Sequence, residues 1–425
     1  MHELAISLSK SLLTGLAIQM VFVSAFLLYL RSPSVGLRPS LEEHVFPDDK
    51  LPKTAVILCL RGPDPFLPKC LQGLLNQNYP NYDIKLIVDS QQDIAWKIAH
   101  DTIREQQATN IEVHLLKIPR LNCSLKCSSL VQAVSDLDDS YKVVALVDAD
   151  TIAHPNWLRE LVTPLAHPKV GATTGNRWYV PTGSWASLVR YLWNIAAIVQ
   201  MYVFGISWGG TLAIKTELLH QGLLDKWGQA FCEDTMMRRA LAKKGMRIKF
   251  VPSLIMVNRE ECDFSYLTNW LKRQMLCSRL YHPCWWAVVS DALSSVLLPI
   301  VVFTLLLTAV LTKQWSAATI LFTSFFGYTV GLILLAIALD NGVHEVVSDN
   351  GEKIPKLSLG TIAKMLIGIP LTHWIYAFAM ISSQYMGKVK WRGVTYQVKG
   401  PWNIRLVQYT PYQLLNSPIN SKTSL

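Results

Sequence analysis

Residues 11–30, SLLTGLAIQMVFVSAFLLYL, contain no charged side chain. As a helix rising about 1.5 Å per residue, such a run is about 30 Å long, enough to cross a bilayer. A second apolar block occupies 285–382, with stretches at 292–311, 315–339 and 362–382. Lys313 and Gln314 separate the first two stretches, and the loop 340–358 separates the last two. Between the blocks, residues 40–280 have the mixed composition of a water-soluble domain. The chain is therefore read as one globular unit tethered to a membrane from both ends.

Composition agrees with that division. Of 425 residues, 51% are hydrophobic and 16% charged, against about 25% charged in ordinary globular domains. Mean hydropathy is +0.25. Arg31 and Arg38 follow the first span and outweigh Lys10 before it, so the span reads as a signal anchor with its C-terminal side in the cytosol. The expected layout is an N-terminal tail (1–10), a transmembrane anchor (11–30), a cytosolic catalytic domain (45–284), membrane and interfacial helices with two to three spans (285–382), and a basic tail (383–425). Within the helical block, 285–311 is the stretch expected to lie in the interface. It opens with Trp285 and Trp286, carries Asp291, Ser294 and Ser295, and is interrupted by Pro299. The tail holds six basic and no acidic residues, which places it in the cytosol. Residues 185–206, apolar but containing Arg190, Asn194 and Gln200, read as an amphipathic helix resting on the membrane, with a buried core helix as the alternative.

The net charge of +10 comes without a nucleic-acid motif or a long basic run, and fits a cytoplasmic membrane face. The eight cysteines form no CxxC pair. They read as reduced, mostly buried thiols.

In the central region, strands and helices alternate. Buried strands are expected at 54–60, 85–90, 111–118 and 142–150, with helices at 65–77, 94–107 and 126–136. That order argues for an α/β fold with a doubly wound, mostly parallel sheet. Ligands of such sheets sit at the carboxyl ends of the strands, and two of these strands end in acids. KLIVDS delivers Asp89, with Asp93 just beyond, and VVALVDAD delivers Asp148 and Asp150. Two carboxylates one residue apart repel unless a cation lies between them. Oxygen ligands suit Mg2+ or Mn2+. The structural alternative is capping of turns and helix starts, which for Asp93 weighs as much as function. Farther on, Gly209 and Gly210 of WGGTLAI allow a close backbone approach. Glu233 and Asp234 enter an expected helix at 234–244 that Gly245 closes. Lys272, Arg273 and Arg279 line a juxtamembrane helix suited to anionic headgroups or to a diphosphate.

Taken in order, VDSQQD (88–93), VDAD (147–150), WGG (208–210), ED (233–234) and WLKRQ (270–274) resemble the membrane-associated family 2 and family 21 inverting glycosyltransferases. The ceramide glucosyltransferase-like branch is the more similar, and WRGVTY (391–396) is similar to the tail of lipid-glycosylating members. The resemblance implies a GT-A fold, a UDP-sugar donor, a divalent metal and a membrane-lipid acceptor, ceramide-like or diacylglycerol-like, with glucose as the expected sugar. It also implies roles. Asp89, with Asp93, would hold the base and ribose, and Lys126 would lie near the donor nucleotide. Asp148 and Asp150 would form the metal-binding pair, Asp234 the general base, and Arg273 the diphosphate contact. The motif departs from the family pattern at Gln274, where processive polysaccharide synthases carry a tryptophan that stacks on the acceptor sugar. This favours a single transfer. A processive synthase, or a non-catalytic membrane sugar-binding protein, is the alternative.

Overall fold

The structure, a computed structural model, describes residues 1–32 and 50–413. Arg38 and Lys422 lie outside the described residues. Helix α1 (His2–Arg31) is followed by β1 (Thr54–Leu60), α2 (Leu67–Leu75), β2 (Tyr82–Val88), α3 (Ile94–Gln106), β3 (Ile111–Leu115), α4 (Leu125–Ser135) and β4 (Val143–Val147). The expected strands are present; β1 has the expected bounds, whereas β2, β3 and β4 stop earlier than their apolar runs suggested, so Asp89, Asp148 and Asp150 stand just beyond the strand ends. Every residue of VVALV in β4 is buried, as a strand covered on both faces requires.

The chain continues through α5 (Trp157–Val162), β5 (Val170–Tyr179), α6 (Trp185–Phe204), β6 (Thr211–Lys215), two short helical turns α7 (Thr216–Leu218) and α8 (Leu224–Trp227), α9 (Met237–Ala242) and β7 (Arg247–Asn258). The seven strands form one sheet in the order β3-β2-β1-β4-β6-β5-β7. All neighbouring pairs are parallel except those made by β6, which runs antiparallel to β4 and β5. Because β6 is reversed, its N-terminus lies at the edge where the other strands end, with Thr211 paired to Val147. The preceding Trp208-Gly209-Gly210 is thereby brought beside Asp148.

After β7 come α10 (Phe264–Tyr281), α11 (Trp285–Leu311), α12 (Trp315–Asp349) and α13 (Leu359–Gln384). Among the described residues, five helices, α1, α6, α11, α12 and α13, are long and apolar enough to cross a membrane. Leu12 and Leu16 of α1, Val302 and Ala309 of α11, and Leu321 and Tyr328 of α12 form one distal cluster. Helix α13 contributes nothing to it and packs instead against α10, α6 and α11. Helix α6 is the most buried of the five. Its Arg190 is tolerated because the guanidinium pairs with Glu260 at 2.9 Å and lies over the Tyr179 ring.

The tail is not a free basic segment. Residues 388–408 form a three-stranded antiparallel sheet, β8 (Lys388–Trp391), β9 (Val394–Gly400) and β10 (Asn403–Gln408). Val389, Val394, Tyr396, Val398 and Ile404 join the core that holds Leu130, Trp227 and Phe231. The Tyr396 hydroxyl accepts the Leu125 N–H at 3.1 Å, fixing this sheet on the first turn of α4.

Candidate active site

One cavity opens at the carboxyl edge of the sheet. Asp89, Lys126, Asp148, Asp150, Asp234 and Arg273 all line it. Six of the seven predicted site residues, from five separate chain segments, thus meet in one hollow. Asp93 is not in the lining. Its carboxylate caps α3 by accepting the Ala95 N–H at 3.0 Å and the Gly62 N–H at 2.7 Å, the structural role weighed for it above.

Lys126 sits in the first turn of α4, where a cation opposes the helix dipole. Two carboxylates compensate: its Nζ lies 2.7 Å from Asp148 Oδ1 and 2.7 Å from Glu233 Oε1. Burial works against the ammonium, but Asp148 and Glu233 outweigh it and hold its pKa well above the usual value. Burial would raise the Asp148 carboxyl, yet Lys126, with Arg177, keeps it below the ordinary range. Asp150 differs. Burial pushes its carboxyl up, and Asp148, Asp64 and Glu260 add repulsion that Arg177, 3.7 Å away, only partly offsets. Asn258 donates to Asp150 Oδ2 at 3.0 Å.

The two glycines are required by crowding. A Cβ on Gly209 would collide with Glu233 Oε1, and one on Gly210 would strike the Trp208 ring and Asp148 Oδ2. The helix expected at 234–244 is shorter, Met237–Ala242, because Asp234 remains in the preceding turn. Its carboxylate accepts the Gly209 N–H at 2.9 Å and the Thr235 N–H at 2.6 Å. Gly245, at φ 68°, closes the helix as expected. Burial, followed by the charge of Glu233, raises the Asp234 carboxyl to about 6, within the range of a general base working near neutral pH.

Asp150 is an under-neutralised carboxylate one residue from Asp148, so the donor set suits a hard divalent cation. Among the described residues no three acidic, histidine or cysteine side chains form a complete cage. The residues fit an ion that draws its remaining ligands from a bound phosphate and water. Arg273 is half-buried, and desolvation lowers its pKa. Its guanidinium lies over the Trp391 ring, 4.3 Å from the centroid, without a carboxylate within ion-pair distance among the described residues. A desolvated cation in that position suits a diphosphate.

Several residues at the site were not expected from the sequence. Arg61, directly after β1, pairs with Asp89 and donates to the Arg392 carbonyl at 2.8 Å. Arg177, on β5, lies between the Trp208 and Trp270 rings, 4.9 and 5.8 Å from their centroids. The tail reaches Asp89 through the Tyr409 hydroxyl and the Tyr412 N–H, each at 2.7 Å. A basic residue directly after a buried strand was a usable signal for Arg61. The sequence carries no comparable signal for the tail contacts.

The model of glycosyl transferase family 21 matches residues 16–403. An uncharacterized glycosyltransferase of Haemophilus influenzae (strain ATCC 51907 / DSM 11121 / KW20 / Rd) is 27% identical over 120 residues, 28% of this chain. The chain spans about a third, 34%, of that relative's length. Among solved structures, the mannosyltransferase PcManGT from Pyrobaculum calidifontis, in complex with GDP-Man and Mn2+, superposes with a TM-score of 0.51 at 14% identity. The superposition covers 90% of this chain and 99% of that one, and at this identity it speaks for the GT-A fold.

Proposed function

The chain belongs to glycosyl transferase family 21, and from that premise we propose that it transfers a single sugar, glucose by resemblance, from a UDP-sugar to the hydroxyl of a membrane lipid, by metal-assisted inverting displacement. The observation that carries this reading is the meeting of Lys126, Asp148, Asp150, Asp234 and Arg273 around one cavity.

Asp148 and Asp150 would hold the divalent ion, which when bound neutralises charge growing on the leaving diphosphate. Arg273 adds fixed positive charge to the same leaving group. Lys126, locked between Asp148 and Glu233, sets the orientation of Asp148 and holds its carboxyl below the ordinary range. Asp234, held in place by two backbone N–H groups, takes the proton of the attacking hydroxyl on the face opposite the leaving group. A single displacement of this kind converts an α-linked donor into a β-linked product.

Single transfer is supported by α10. Gln274 lines the cavity where a stacking ring would be needed for processivity. Trp270, one turn away, is fixed edge-on to Tyr179 and Trp193.

We place the catalytic domain and the tail on the same, cytosolic, side. The packing of β8–β10 into the catalytic core requires that residues 285–384 cross the membrane an even number of times. Helices α11 and α12, joined by Thr312–Gln314, supply one exit and one return beside α1. This packing favours α13, with α6, as the interfacial element, over the 285–311 stretch that its sequence suggested. Asp291 is then accommodated by Gln200, whose Nε2 donates to it at 2.7 Å.

The test is full-length protein in detergent with Mn2+, offered UDP-glucose, UDP-galactose, UDP-N-acetylglucosamine or GDP-mannose, with ceramide or diacylglycerol. Mass spectrometry should find one monoglycosylated lipid from a uridine-linked donor. A polymer, or nucleotide release that ignores lipid, overturns the reading.

A further inference from the structure

Two further cavities continue from the catalytic one toward the membrane helices. The second shares Arg177, Trp208, Asp234, Trp270 and Gln274 with the catalytic cavity and extends to Asn176, Asn194 and Ser207. The third lies among α1, α6, α11, α12 and α13, with walls that include Phe22, Leu192, Ile195, Leu335 and Ile369. Gln200 lines both the second and the third. Helix α6 is therefore the wall between them: Trp193, Asn194 and Ala197 face one side, Leu192, Ile195 and Ala196 the other, and the two spaces meet at Gln200.

The chemistry changes along this route. In the second cavity, two buried donors, Asn176 Nδ2 and Trp208 Nε1, have no hydrogen-bond partner. Asn176 is 4% exposed and Trp208 5%. An unpartnered buried donor is costly, and because Asn176 and Trp208 both line this cavity, a small side-chain turn brings either donor to a ligand oxygen there. At the junction, the Gln200–Asp291 hydrogen bond leaves the amide oxygen of Gln200 without a partner among the described residues. Beyond it the walls are aliphatic and aromatic, with polar atoms confined to a few side chains such as Thr372 and His373. Apolar cavities of this kind take hydrocarbon in preference to water.

We propose that these two cavities are the acceptor site: the third holds a hydrocarbon chain of the lipid, and the second holds its oxygen-bearing headgroup on Asn176 and Trp208, so that the hydroxyl reaches Asp234 from the bilayer side. The inference rests on the lipid-acceptor reading above and adds the route and its residues. It explains why Asp234 lines both the catalytic and the second cavity, as a base that meets donor on one side and acceptor on the other. It also explains a polar Gln–Asp pair among otherwise apolar helices, placed where headgroup gives way to chain.

The experiment compares a long-chain acceptor with a short-chain, water-soluble analogue of the same headgroup, using full-length wild type, Ala196→Trp and Asn176→Leu. Ala196 is exposed into the third cavity, and an indole there takes the space of the chain. The ratio of kcat/KM for long over short acceptor should fall about tenfold or more in Ala196→Trp, the effect of about two methylene groups no longer leaving water. Asn176→Leu should lower kcat/KM for both acceptors while leaving the thermal midpoint of the lipid-free protein unchanged or higher, since an unpartnered donor has been removed. Photocrosslinking of wild type with a lipid carrying a diazirine on its chain should label Leu335 or Ile369, and decides the matter if Ala196→Trp fails to fold. An unchanged long-to-short ratio, or labelling confined to outward-facing residues such as Leu307, overturns the site while leaving lipid glycosylation standing. A wild type that glycosylates no lipid removes both.

Discussion

The two ends of the catalytic cavity treat their carboxylates differently. At one end Asp89 is fully engaged by the protein itself, with Arg61, the Tyr409 hydroxyl and the Tyr412 N–H all directed at it. At the other, Asp150 and Asp234 are partly buried with less compensation than their charge requires, and both carboxyls are pushed up. Asp89 is the most buried of the three, so burial alone does not make a reactive carboxylate. The difference lies in whether the chain supplies the neutralising partner or leaves that to a ligand. A group left short of partners is held in a state that binding or proton transfer relieves.

The strongest test of this contrast is to remove the proton acceptor while keeping its shape. Asp234→Asn should lower kcat by about 10²–10⁴-fold, the usual range for a lost general base. Donor affinity, read by calorimetry with a UDP-sugar, should change little. Near-normal turnover would erase the distinction between the two ends. Next in size is Asp150→Asn. Losing even an outer partner of a metal ligand costs about 10–100-fold in affinity or activity, so Mn2+-dependent donor binding should drop by at least that range. A titration that is the same with and without Mn2+ in both proteins would remove Asp150 from the ion site.

A smaller and graded effect comes from pH. The Asp234 carboxyl is raised to about 6, and a general base acts only when deprotonated. Activity should be full above that value and fall as pH drops through it, approaching tenfold per unit at lower pH. The same raised pKa means that the folded state is favoured as this group takes up a proton, so activity and stability move in opposite directions between about pH 6 and 4. A pH–rate profile that stays flat to pH 5, in protein that remains folded, would contradict the assignment.

Much of this site is legible in the sequence because strands and their ends are local. TAVILCL appears as β1 at the expected residues, and an apolar run ending in DAD places its acids at the strand edge without help from the rest of the chain. The WGG segment announces close backbone approach. The reason for it, an antiparallel β6 beginning beside Asp148, depends on a reversal that no local pattern shows. Arg177 escaped notice for a related reason: it lies within β5, and alternation alone does not say which face of the sheet carries function. The tail sheet had a readable period-two pattern in VTYQV. Its docking onto α4 and Asp89 joins residues some 270 to 320 positions apart, a distance at which composition says only that the segment is basic. Asp93 shows the converse, a motif acid whose local capping role is the one the structure displays.

The smallest expected effect addresses the sealed end. Tyr409→Phe removes one hydrogen bond to Asp89 and leaves those from Arg61 and Tyr412. A hydrogen bond to a protein group is worth about 0.5–1.5 kcal/mol net, and that much stabilisation of the docked tail should be lost. Asp89 is also the carboxylate expected to hold the nucleotide base, so tail and base compete for the same oxygens. Weakening the tail should then tighten UDP-sugar binding by about twofold to tenfold, the same free energy expressed as an affinity. Paired measurements settle the sign: calorimetry for the donor and protease sensitivity for the tail. Looser tail with tighter donor keeps the two ends distinct, one held closed by the chain and one left open for ligand. Weaker donor binding would instead make the Tyr409 hydroxyl part of the base subsite, and the Asp89 end would then be a finished binding surface that needs no displacement.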